Sequence, residues 1–225
     1  MLGALLLAAG LAACGGSSAG GDNGLRAKSA AAILNATTNA SESAKSVHVT
    51  GSLEQQGTTI ALDLRMVAGV GASGWMSDGG RRFMLVLDHS TLYISGGRAF
   101  WRAFGNAAVA KRLKGKWLKT PDTGSYAGIA QIANMRLFFR QVFGGHGPLA
   151  KTSNKTIDGT ATIGLRDTEK GGVLYVSTSG KPYPVEISGN TGATTGRLTF
   201  TGFNAPVAIR APKRSISLAR LERAG

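Results

Sequence analysis

Between residues 47 and 210, apolar side chains recur at every second position in one short segment after another. Alternation with period two puts those side chains on one face of a strand, so a chain written this way must bury one face of a sheet. The clearest segment is 60–66, where Ile60, Leu62, Leu64 and Met66 alternate with Ala61, Asp63 and Arg65. Val47, Val49 and Leu53 alternate with His48, Thr50 and Ser52, and Gln55-Gln56-Gly57 supplies a hairpin turn between the two. Further strands are expected over 72–77, 82–87, 91–95, 99–104, 155–157, 160–166, 173–178, 182–188, 197–203 and 207–210. Pairs such as Gly79-Gly80, Gly96-Gly97, Asp158-Gly159 and Gly171-Gly172 separate them as tight turns. The 33 glycines in 225 residues are about twice the usual ~7% share and suit a sheet with many turns and bends.

Alternation stops over 105–113 and 124–143. In the second stretch Ile129, Ile132, Met135, Phe139 and Val142 recur at helical spacing. Gly144-Gly145 offers a left-handed cap, and Pro148 blocks continuation. Residues 25–45 are rich in alanine and read as a helix anchored by Leu25, Ile33 and Leu34. About a dozen strands with helical interruptions predict one large, strongly curved antiparallel sheet carrying helices on one face, an α+β fold. A single domain is expected over 25–212, with a loose basic tail at 213–225.

Residues 2–13, LGALLLAAGLAA, are apolar and uncharged. At 1.5 Å per residue they span roughly 18 Å, short of a ~30 Å hydrocarbon core, which fits a signal peptide. Leu11-Ala12-Ala13-Cys14 resembles the bacterial lipobox, which makes Cys14 the site of lipid attachment. It is also the chain's one cysteine, so an intramolecular disulfide is excluded. No Lys or Arg precedes the run, and a charged segment upstream of Met1 is expected. Gly15 to Gly24 is a Gly/Ser-rich tether with a reach of roughly 17 Å, so 14–24 would link the lipid to the domain. Export and attachment to the outer face of the cell membrane follow.

Catalytic chemistry has no visible constellation. There is no G-x-S-x-G elbow, no phosphate loop and no carboxylate pair at glycosidase-like spacing. Asp88 and His89 are neighbours that a strand would point apart, so they read as a turn. His48 and His146 have no companion at metal-ligand spacing. A non-enzyme without cofactor or metal is expected. The charge is unbalanced: 26 Lys and Arg against 12 Asp and Glu give +14, which points to an anionic partner. Seven basic residues and no acid lie between 98 and 119, among them Lys111, Arg112, Lys114 and Lys116, interleaved with Phe100, Trp101, Phe104 and Trp117. On an exported protein this mixture suits an anionic membrane surface better than nucleic acid, and a plain solvated face remains the alternative.

The arrangement resembles the actinobacterial LppX/LprG-type envelope lipoproteins, relatives of the LolA/LolB carriers. The resemblance rests on the lipobox, the tether, the short helix running into Ser46-Val47-His48-Val49-Thr50-Gly51, and the amphipathic strand at 58–67. It continues through Leu92-Tyr93-Ile94, Phe100-Trp101, Gly115-Lys116-Trp117-Leu118 and Pro182-Tyr183-Pro184-Val185. It implies a half-barrel whose concave face is covered by helices, an apolar cavity for acyl chains, and no catalytic residues. Ile60, Leu62, Leu64, Met66, Leu85, Leu92 and Ile94, with Ile132 and Phe139 from the helical stretch, would line that cavity. The same alternation is what an ordinary packed core looks like. Three readings stay open: a lipid or glycolipid carrier, an interaction lipoprotein with a filled core, and an enzyme assembled from distant segments. The carrier would act as a monomer, with an envelope transporter as a further candidate partner.

Overall fold

The computed structural model describes residues 21–55, 57–191 and 194–223. The segment 2–13, Cys14 and most of the tether lie outside the described residues. Helix α1 (Ala30–Glu42) leads into the strands β1 (Ser46–Gln55), β2 (Thr58–Val67), β3 (Gly71–Asp78), β4 (Arg81–Asp88) and β5 (Thr91–Gly96). Two short helices, α2 (Arg98–Ala103) and α3 (Ala107–Arg112), precede β6 (Leu118–Pro121). The helices α4 (Ala127–Ala133) and α5 (Met135–Gly144) then open a second run of strands. Those are β7 (Leu149–Ile157), β8 (Thr160–Asp167), β9 (Val173–Ser177), β10 (Pro184–Thr191) and β11 (Thr194–Thr201), followed by β12 (Ile216–Ser217) and α6 (Leu218–Glu222).

All twelve strands form one sheet in the order β12-β6-β5-β4-β3-β2-β1-β11-β10-β9-β8-β7. The pairing of β1 with β11 joins two antiparallel meanders, and only β12 against β6 is parallel. Ile60, Leu62, Leu64 and Met66 of β2 stand opposite Leu53, Gly51, Val49 and Val47 of β1, so one face of the sheet is apolar in row after row. Two glycines let that face bend. Gly51, at φ 136°, lies between Leu62 and Leu198, and Gly74, at φ 151°, lies between Leu64 and Leu85. A Cβ at either would fall on a neighbouring carbonyl oxygen, that of Arg197 or Asp63. Only glycine accepts both the backbone angle and the close approach.

The helices α1, α4 and α5 cover the apolar face. Ser29 caps α1 by accepting from Ala32 N at 3.2 Å. Thr37 and Ser41 sit on its buried side because each hydroxyl donates to the carbonyl four residues back, Ile33 at 2.9 Å and Thr37 at 2.8 Å. From α5, Phe139 stacks on Phe143 and on Phe200 of β11.

Several expectations change. The segment 99–104 is helix, not strand: Phe100 and Phe104 stack at 4.6 Å one turn apart, while Phe100 and Trp101 are buried. The helical stretch at 124–143 breaks at Asn134, whose extended backbone caps α5 through a bond from Leu137 N at 3.2 Å. Gly145 ends α5 at φ −93°, so the cap is not left-handed. The helix expected over 25–45 divides into a 3-10 turn, Leu25–Ala27, and α1. Asp22, Asn23 and Gly24, read as tether, are docked: Asn23 N donates to Thr178 O at 3.0 Å and Arg26 pairs with Asp22 at 2.7 Å. Residues 207–210 are an irregular strap. The tail expected at 213–225 is ordered over 216–222, where β12 extends the sheet and Leu221 is buried.

Candidate functional site

The apolar face is not filled along its whole length. A cavity of about 350 Å³ lies in the half of the sheet that runs from β2 through β1 to β7, roofed by α1, α4 and α5. Leu53, Ile60, Leu62, Leu165, Leu174, Ile187 and Leu198 form its sheet wall, and Leu34, Ile132, Phe138, Val142 and Phe143 its helical wall. Strand side chains of period two and helix side chains of period 3.6 thus converge on one apolar space.

Polar groups gather at one rim: Gln141, His146, Asp167 and Lys170 beside Gly145 and Gly172. Asp167 organises this rim. Its carboxylate accepts from the backbone N–H groups of Gly147 at 2.7 Å, Lys170 at 2.8 Å and Glu169 at 2.9 Å. The Lys170 N–H does most to hold its carboxyl below the usual range, helped by the other two N–H groups and the Lys170 charge and opposed by burial. The Lys170 ammonium in turn donates to Gly145 O at 2.5 Å, and His146 Nδ1 donates to Gly147 O at 2.6 Å. The rim is therefore a fixed polar loop at the edge of an apolar chamber.

Of the nine residues expected to line a cavity, Ile60, Leu62 and Ile132 do so. Leu64, Met66, Leu85, Leu92, Ile94 and Phe139 are 0–1% exposed and belong to the close-packed core. The five strand residues lie on the β2–β5 side of the sheet, which is filled in part by Phe83, Phe100 and Trp101, whose rings pack at 4.4 and 4.8 Å, whereas Phe139 of α5 packs on Phe200 of β11. The sequence reading missed the wall from β8 to β11. Its strands were recognised by alternation, but nothing local says which half of a sheet stays open.

No group of three or more His, Cys, Asp or Glu side chains among the described residues could hold a metal ion. His48 donates to Asp63 at 2.7 Å on the outer face of β1 and β2, beside a hollow shared with Arg65, Ser73 and the strap at 205–208. That partner was invisible in sequence because it lies across the ladder. Asp88 and His89 do bond, at 2.8 Å, because His89 adopts φ 54° in an exposed turn where strand alternation no longer applies. Neither pair borders the apolar cavity. Lys111, Arg112, Lys114 and Lys116 are all exposed on and just after α3. No helix among the described residues is long and apolar enough to cross a membrane.

No protein-family model matches the chain, and no curated protein matches its sequence. Solved structures do match. The lipoprotein LppX of Mycobacterium tuberculosis superposes with a TM-score of 0.55 at 16% identity, over 80% of this chain and 98% of that one. LprF from Mycobacterium bovis superposes with a TM-score of 0.54 at 15% identity, over 81% and 96%. The chain thus has the fold of the mycobacterial lipoprotein LppX and of LprF, one curled sheet of twelve strands with helices on its concave face.

Proposed function

We propose that this protein is a membrane-tethered, non-catalytic carrier that holds an acyl chain of a lipid or glycolipid in the cell envelope. The observation that carries this reading is the apolar cavity between the sheet and α1, α4 and α5, with polar groups confined to one rim. A lipid needs such a partition: water exclusion for the chain and a polar edge for the head. Burial is worth about 0.8 kcal/mol per methylene. An acyl chain of about twelve carbons sets the scale. Such a chain gains on the order of 10 kcal/mol from leaving water.

The likeness in fold to a protein named as a lipoprotein supports the same reading, as does Cys14 at the end of an apolar leader. Lipid on Cys14 would hold the domain at the outer face of the membrane, where the basic surface around Lys111, Arg112, Lys114 and Lys116 meets anionic headgroups. The test is solvent extraction and native mass spectrometry of the purified chain. Extraction without chemical cleavage releases only non-covalent lipid, so the anchor does not interfere. One acyl-bearing molecule per chain is the expected result. A chain that never carries such a molecule, even after incubation with lipid, would refute the carrier and favour an interaction lipoprotein.

A further inference from the structure

The two basic stretches, 98–119 and 210–223, are about a hundred residues apart in sequence, yet the fold makes neighbours of them. The strap leaving β11 passes Ser46, whose hydroxyl donates to Ala205 O at 2.6 Å, and ends beside β6. There Ile216 N donates to Trp117 O at 2.8 Å, and β12 runs parallel to β6 with Ile216 opposite Leu118 and Ser217 opposite Lys119. Helix α6 follows at once, capped by Ser217, with Leu221 buried and Leu221 O accepting from Arg112 at 3.4 Å. Lys213, Arg214, Arg220 and Arg223 are thereby brought to the same edge of the sheet as the basic residues of α2, α3 and β6.

Eleven of the chain's 26 Lys and Arg then belong to one end of the fold, and all eleven are exposed. The acids of these two stretches number one, Glu222, which lies close enough to Tyr126 to act on its hydroxyl. Phe104, at the end of α2 and between Arg102 and Lys111 in the sequence, is 38% exposed. An exposed aromatic side chain on a strongly basic end of the fold matches a surface with anionic headgroups above hydrocarbon, and it has no counterpart in the backbone of a nucleic-acid duplex.

We propose that α2, α3, β6, β12 and α6 together form a single docking surface for an anionic lipid bilayer, completed by the C-terminal segment. The surface lies at the β12–β6 edge of the sheet, whereas the cavity is walled by β2 and the strands from β1 to β7. Docking extends the headgroup contact proposed above for Lys111, Arg112, Lys114 and Lys116, and rests on that contact but not on chain binding in the cavity.

The test is flotation of the whole chain with vesicles of phosphatidylcholine alone or mixed with phosphatidylglycerol. Any contribution of the N-terminal segment is common to both compositions, so the ratio of the two partition coefficients is the quantity read. Each basic residue near an anionic surface contributes up to ~5-fold. The pair Lys114→Gln with Lys116→Gln should lower the ratio, and so should Arg214→Gln with Arg220→Gln, each by up to ~25-fold at low salt. The four together should lower it by about the product of the two pair effects, and salt that shortens the Debye length to ~3 Å should bring the wild-type ratio close to one. Phe104→Ser should weaken binding to the mixed vesicles alone. All these side chains are exposed, and an unchanged melting temperature certifies the fold. A ratio insensitive to Arg214 and Arg220 would overturn the composite surface. Charge variants that lose duplex DNA or an acidic protein while keeping vesicle binding would overturn the choice of partner.

Discussion

Leu62→Trp and Leu64→Trp place the same indole on the same face of β2, two residues apart. Leu62 is 5% exposed and lines the cavity, whereas Leu64 is fully buried and does not. Leu64 faces Val49 on one side and Gly74 on the other, whose missing Cβ leaves no slack because the Asp63 carbonyl occupies that position. Overpacking there should cost about 1–3 kcal/mol or more. For a domain of this size that lowers the melting temperature by about 2–12 °C. At position 62 the indole can enter about 350 Å³ of empty space, so the melting temperature should move by less than ~2 °C while lipid occupancy falls. The assay is thermal unfolding of delipidated protein, paired with mass spectrometry of the lipid retained after reloading. Delipidation matters because a ligand at a hundred times its Kd adds ~2.7 kcal/mol of apparent stability. Equal destabilisation by the two substitutions, with lipid retained in Leu62→Trp, would show that the chamber is packed and the reasoning wrong.

Cys14→Ala should abolish metabolic labelling by fatty acids and reduce membrane retention to a salt-sensitive remainder held by basic side chains; full retention in high salt would refute the anchor. Asp167→Asn should lower the melting temperature at pH 7, because a carboxylate that accepts three N–H bonds is replaced by an amide. The folded carboxyl titrates below its unfolded value near ~3.9, so its stabilisation is present above that pH and fades as pH falls through the folded pKa. The deficit of the variant should therefore shrink on acidification, and a constant deficit from pH 7 to acid would contradict this role for the rim.

Alternation alone made the strands around 60–66, 82–87 and 160–166 legible, because side-chain direction in a strand is a local property of period two. It failed at 99–104, where Phe100 and Phe104 sit four residues apart and a helix buries Phe100 and Trp101 together. It also passed over 118–121, a strand of four residues whose only apolar anchor is Leu118.

Ile60, Leu62, Leu64 and Met66 share one inward face, and that much the sequence determined by itself. Whether an inward side chain meets another side chain or empty space depends on what arrives from elsewhere. Phe83, Phe100 and Trp101 help to fill the β2–β5 side, while α1, α4 and α5 bridge the other side without filling it. Likewise, local composition marked two basic segments, and only the parallel pairing of β12 with β6 made them one surface. Strand identity follows from neighbours along the chain. The cavity and the joined surface depend on contacts between residues far apart in sequence, so only the tertiary structure decided them.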